Sequence, residues 1–301
     1  MFKLLSKESN IFSIPVYIAV LLLIVLFFNV LNFNYIDFFS VLIAFLGVSL
    51  GYFVFPKLNL TYQSHLPFFL YTAIVFSLYD GNLDIGISFT LLINSVLLFI
   101  LTGTDQYSKQ YHYTLVGTLC ALNYLVLPAV WPMIIFVILH IIATAQGVYL
   151  NLFRFFLGGL LAILSYFSIA YFLGFNSWDP AYLPFRPGQW MTQFYPLYLL
   201  LPVALLTIYG VLDHFNHINE KSPNSRFKFT LVLLLTLAQL VSIVLYMGHF
   251  YEYLLVLAFP VSLILSRMLW FLPKYAYKEI ALWIIVLSLF LYKAGTYFQI
   301  L

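Results

Sequence analysis

Charge is what this sequence has least of. Among 301 residues there are 13 Lys and Arg and 10 Asp and Glu, 8% in all, where a water-soluble globule carries about a quarter. With 64% apolar residues and a mean hydropathy of +1.01, that scarcity excludes a soluble globular domain. Cysteine is almost missing: Cys120 stands alone in an apolar stretch, which excludes an internal disulfide and suits a packing role. Basic runs are missing too, since the cations are spread singly over the chain, and this excludes a nucleic-acid-binding patch. A glycine-rich phosphate loop, a nucleophile elbow and a paired-cysteine motif are all absent from the sequence, so ATP hydrolysis by this chain is excluded and no cofactor or metal is expected.

What the sequence has instead is apolar runs, continuous rather than alternating, which select helices over a barrel because each span must close its own backbone hydrogen bonds in lipid. Spans are predicted at 12–33, 38–55, 66–79, 85–103, 113–128, 131–147, 155–174, 193–212, 229–247, 252–267 and 279–298. The weakest are the third and the pair divided at Leu127-Pro128-Ala129-Val130-Trp131-Pro132. The expected fold is all-α: one integral membrane domain over residues 1–301, a polytopic bundle of about eleven spans with no sizeable soluble domain. The first run lacks a small-residue cleavage site and reads as a retained helix.

The cations orient this layout. With the N-terminus cytoplasmic, one side holds Lys3, Lys7, Lys57, Lys109, Arg154, Lys221, Arg226, Lys228, Arg267, Lys274 and Lys278, leaving only Arg186 and Lys293 for the other. Cytoplasmic loops retain Lys and Arg, so the expected C-terminus is outside. Two loops exceed turn length: Phe175 to Thr192 on the outer side, rich in Pro and Trp, and Asp213 to Lys228 on the inner side.

The outer side gathers Asp37, Asp80, Asp84, Asp179, Arg186, His249, Glu252 and, inside the last span, Lys293. Carboxylates beside an arginine at a membrane face suit phosphate binding through Arg186 and an Asp as general base, against the plain reading of solvated loop ends. Asp37 lies between aromatics in Asn34-Tyr35-Ile36-Asp37-Phe38. Partial desolvation there favours a base, while an N-cap for the second span explains the same residue equally well. Arg186, flanked by Pro184 and Pro187, suits either an anionic sugar phosphate or ordinary phospholipid anchoring. Trp178 and Trp190 fit a membrane belt or a platform for a sugar ring.

Other polar positions have plainer readings. The Asp80-to-Asp84 segment is a turn made by Gly81 and Asn82. His140, deep in its span, suits interhelical hydrogen bonding better than a proton relay. Asp213, His214, His217 and Glu220 share ligand-like spacing in a solvated segment that suits a metal poorly. Gly47-x-x-x-Gly51 and Gly158-Gly159 point to close helix packing within the chain.

Several stretches carry a family resemblance: Asn59-Leu60-Thr61 before Ser64-His65-Leu66-Pro67, the hairpin from Thr114 through Gly117 and Pro128 to His140, and Phe153-Arg154-Phe155 leading into Leu157-Gly158-Gly159-Leu160-Leu161. This layout resembles an uncharacterised family of many-pass inner-membrane proteins from the Bacteroidota. The hairpin is also similar to that of the type C glycosyltransferases, which transfer sugars from polyprenyl phosphate carriers on the outer face. The resemblance implies Asp37 as catalytic base and Arg186 as the residue at the carrier phosphate. The chain departs from that pattern in its short first outer loop and in lacking a soluble acceptor domain.

The expectation is therefore a multi-pass protein of the bacterial inner membrane that acts on or recognises a lipid-linked saccharide in envelope assembly. Asp37 would be catalytic, with Arg186, Trp178, Trp190 and Asp179 binding substrate. Expected partners are membrane lipid, a polyprenyl-phosphate-linked sugar and other membrane proteins. The alternative is a non-catalytic subunit or scaffold.

Overall fold

The computed structural model describes residues 1–10, 12–29, 35–60, 63–81, 83–102, 106–144, 147–175, 182, 195–217, 222–248 and 250–297, with the side chains at 35–37, 106–111, 195, 196 and 224 outside that description. Among the described residues the protein is all-α. The helices are α1 (Phe2–Leu5), α2 (Ser13–Asn29), α3 (Tyr35–Leu58), α4 (Leu66–Leu78), α5 (Ile85–Leu101), α6 (Gln106–Val126), α7 (Trp131–Thr144), α8 (Val148–Phe172), α9 (Leu201–Asn216), α10 (Pro223–Tyr246), α11 (Ala258–Phe271) and α12 (Tyr275–Tyr297). Single 3-10 stretches lead into α7, α9 and α11.

Every expected span coincides with a helix from α2 to α12, but the count of about eleven full spans is corrected. Among the described residues, six helical segments are long and apolar enough to cross a membrane: Phe38–Leu58, Val148–Phe172, Leu197–Asn216, Ser225–Tyr246, Tyr251–Phe271 and Tyr275–Tyr297. The physical reason is length. Ser13–Asn29, Leu66–Leu78 and Ile85–Leu101 have 17, 13 and 17 residues, about 20 to 26 Å of helix at 1.5 Å per residue, short of a hydrocarbon core of about 30 Å. The apolar Pro128–Thr144 is also too short. α6 is long enough, but opens on Gln106-Tyr107-Ser108-Lys109-Gln110, and this polar turn dilutes its apolar run.

Local sequence sets the helix ends. Asp84 caps α5 by accepting the Gly86 N–H at 3.0 Å, and Ser222 caps α10 through Ser225 N–H at 3.4 Å, with Pro223 next in line where its missing N–H costs nothing. The proline turn Pro128–Val130 does separate α6 from α7, since Pro128 cannot continue the α6 hydrogen-bond ladder.

α4 forms the centre of the bundle. Ten of its 13 residues are buried, as expected of a helix that is apolar all round. It packs against α11, α12 and α2, and Tyr52, Phe55, Tyr71 and Phe259 interlock in edge-to-face and tilted pairs beside it. Aromatic pairs of this kind add about 0.5–1.5 kcal/mol beyond burial.

Glycine sets the two tightest helix pairs. A Cβ on Gly47 of α3 would lie 2.6 Å from the Leu92 backbone nitrogen of α5. On Gly51, one turn on, it would meet the Tyr71 hydroxyl at 2.7 Å, the end of a side chain rather than backbone. Gly47→Ala is therefore expected to cost about 1–3 kcal/mol by overpacking and Gly51→Ala less, read as the drop in melting temperature in detergent. In α6 and α8 the contact is closer still, with Gly117 against the Phe155 carbonyl and Gly158 against that of Thr114.

The bundle has two chemically distinct ends. At the basic end, Lys228 Nζ donates to the Lys57 carbonyl at 3.0 Å and Lys278 Nζ to that of Trp270 at 2.6 Å. Phe2 N–H donates to Glu279 there at 2.8 Å. The opposite end carries Asp80, Asp84, Glu252 and Lys293.

Candidate functional site

At the acidic end, α4 stops at Leu78, and Tyr79 turns out of the helix with φ −88 and ψ 118. Gly81 then takes φ +96, a conformation that L side chains rarely adopt. A Cβ on Gly81 would also lie 2.9 Å from the Phe28 carbonyl, so glycine serves both the turn and the close approach of α2. The chain re-enters a helix at Asp84. Asp80 and Asp84 are thus presented on either side of a tight turn, over the ends of α2, α11 and α12.

Lys293 holds this end together. It is buried on α12, and its ammonium donates to Asp80 Oδ1 at 2.7 Å and to the Tyr79 carbonyl at 2.5 Å. The Phe28 ring lies over it, 4.1 Å from Nζ to the centroid. Two acceptors and an aromatic face occupy the three N–H directions of the ammonium. Asn29 donates to the Tyr79 hydroxyl at 2.6 Å. Burial pushes the Tyr79 phenol above its ordinary pKa, with the Asn29 hydrogen bond opposing, so the phenol stays neutral. Glu252, at the start of the segment leading into α11, accepts the Asp84 N–H at 2.9 Å. Asp80 pairs with the ammonium while the Asp84 and Glu252 carboxylates accept backbone N–H groups, so the site carries an excess of formal negative charge. Such a group accepts hydrogen bonds from hydroxyls and cations and repels phosphate.

Of the residues gathered on the outer side from sequence, the structure brings together Asp80, Asp84, Glu252 and Lys293. Asp37 falls in the first turn of α3, which begins at Tyr35 rather than after Asp37. The residue is thus inside the helix and not its N-cap. The Asp37 side chain lies outside the described residues, as do Arg186, Trp178, Trp190, Asp179 and His249.

The other sequence candidates fall into packing roles. His140 is buried on α7 with its ring 5.2 Å from that of Phe227. Asn123 accepts the Thr90 hydroxyl at 2.9 Å, joining α6 to α5. His214 turns inward onto the Phe229 ring at 3.8 Å, while His217 stays outside and meets Asp213 at 3.2 Å. His214 and His217 thus point apart, Glu220 lies outside the described residues, and no group of three metal-binding side chains occurs among the described residues. Asn59 and Ser64 from the resemblance motif line a cavity of about 190 Å³ at the basic end, with Ser9, Asn10 and Gln63.

Sequence reasoning passed over Arg267, buried at the basic end with its guanidinium carbon 4.5 Å from the Phe229 ring centroid. It also passed over Asn94 and Gln239, buried amides midway along α5 and α10. An isolated amide inside an apolar run was the available signal.

A family model described as "Family of unknown function (DUF6427)" matches residues 1–298. The chain belongs to this family. No curated protein and no solved structure matches it. The DUF6427 match covers the helices of both ends, so the acidic cluster and the glycine-packed α6–α8 pair both fall inside the family region.

Proposed function

We infer that this DUF6427 member is a bacterial inner-membrane protein of glycosyltransferase-like architecture that acts on a lipid-linked saccharide during envelope assembly. Its basic end faces the cytoplasm and its acidic end the outside, the side to which the alternation of spans also assigns Asp37 and Arg186. The Asp37 carboxylate takes the proton of an acceptor hydroxyl, whose oxygen bonds to the anomeric carbon. The bond from that carbon to the phosphate oxygen breaks, and the polyprenyl phosphate leaves with the electron pair, its charge held by the Arg186 guanidinium.

The observation that carries this reading is the acidic cluster. Asp80 and Asp84 from one turn and Glu252 from another segment are collected at one end of the bundle, beside a lysine already committed to Asp80 and a backbone carbonyl, an array suited to sugar hydroxyls. In this reading Arg186 holds the phosphate, which the excess negative charge of the cluster would repel. The test is Asp37→Asn. At unchanged protein level it should abolish saccharide transfer, falling by about 100-fold or more as for loss of a general base, while native mass spectrometry of the protein still finds the bound polyprenyl lipid. Full transfer by the variant would remove Asp37 from catalysis.

A second reading, a non-catalytic subunit, is favoured by the flank of α8. Phe153, Phe156, Leu160 and Leu164 are 63%, 55%, 55% and 54% exposed and form an apolar face suited to lipid or a partner helix. That reading requires a membrane partner to co-purify equally with wild type and Asp37→Asn.

A further inference from the structure

Between α5 and α10, midway along both helices, lies a small chamber lined by Asn94, Gln239, Thr90, Ser242, Met133 and Tyr253, among others. Asn94 and Gln239 are 6% and 5% exposed. In both, the side-chain nitrogen and the side-chain oxygen lack a hydrogen-bond partner. The Asn123 amide nitrogen, one hydrogen bond away through Thr90, has none either. Lipid offers these groups no hydrogen bonds, and amides buried at this depth need an occupant that does.

The lining identifies the occupant by elimination. A cation would satisfy the two amide oxygens and be repelled by the amide N–H groups, while an anion would do the reverse. An apolar occupant would satisfy none of them. The ligand must both donate and accept in equal measure. The Ser242 hydroxyl already donates to the Ala238 carbonyl at 3.2 Å, and so presents lone pairs to the chamber. The volume is about 20 Å³, enough for one water, which needs roughly 10–15 Å³.

We propose that this chamber is a binding site for a single water molecule, which bridges the Asn94 and Gln239 amides and ties α5 to α10 within the membrane. The neighbouring cavity, which shares Met133 and Ala238 and runs on to His140, is lined chiefly by Leu, Phe and Val.

X-ray radiolytic footprinting of the full chain in lipid nanodiscs tests this, because a bound water converted to hydroxyl radical oxidises the side chains that touch it. Met133 lines the chamber, and Met247 and Met268, equally buried at 0% and 3% exposed, are references away from it. Met133 should be oxidised roughly fivefold or more faster than either reference, as a side chain next to trapped water. The double variant Asn94→Leu, Gln239→Leu should bring it down to the reference rate. Oxidation of Met133 at the reference rate in the unaltered chain, a readout that needs no variant to fold, would overturn the proposal. So would fast oxidation persisting in a double variant that keeps its melting temperature.

Discussion

Alanine at Gly117 or Gly158 is expected to separate α6 from α8 and to be the most damaging single methyl that can be added to this protein. A Cβ on Gly117 would run into the Phe155 carbonyl oxygen, and one on Gly158 into that of Thr114. Both obstacles are backbone, so no side chain can turn aside and a helix must move. Overpacking against side chains costs about 1–3 kcal/mol, occasionally more. Against backbone on both helices the expected loss is at the upper end, about 3 kcal/mol or more for either change. The Thr118 hydroxyl, which donates to the Gly158 carbonyl at 3.1 Å, would be lost with the contact. Once one alanine has parted the helices the second meets less resistance, so the double variant should cost clearly less than the sum. Gly159 is the internal control. Its nearest neighbour would be 3.6 Å away, and Gly159→Ala should leave the melting temperature in detergent within experimental error. Equal losses at Gly158 and Gly159 would mean that the α6–α8 contact is looser than described.

Lys293→Met should have the second-largest effect. The change keeps an apolar stem of similar length while removing the ammonium that Asp80 and the Tyr79 carbonyl share. Breaking a fully buried pair costs about 3–5 kcal/mol. Here Asp80 is 52% exposed and regains water, so the expected loss is smaller, about 2 kcal/mol. Asp80→Asn should cost less than Lys293→Met, because the asparagine oxygen still accepts from the ammonium and the Tyr79 carbonyl remains in place. Melting curves of the two single variants and the double variant settle the order. If Asp80→Asn proved the more damaging, the carboxylate and not the buried lysine would be organising this end. Because Lys293 joins α12 to the turn after α4, its loss should also loosen the placement of Asp84 and Glu252. Any saccharide binding at the acidic end should weaken with it.

The sequence by itself determined that the chain is helical and membrane-embedded, and roughly where α2 to α12 fall, because a continuous apolar run leaves the backbone no partner but itself. It also marked Gly47 and Gly158 as close-packing positions, and it collected Asp80, Asp84, Glu252 and Lys293 on one side from the alternation of loops alone. Tertiary structure decided the rest. α4 and α5 read as spans by composition, yet are too short to reach across the hydrocarbon, since apolar character records burial without telling lipid from protein. Gly158 and Gly159 are adjacent and chemically identical, and only the direction of each Cα toward α6 separates the critical one from the dispensable one. Lys293 meets Asp80 across more than two hundred residues of chain, and Asn94 faces the same chamber as Gln239. Such pairs are set by how helices rotate against one another, a degree of freedom that hydropathy does not encode.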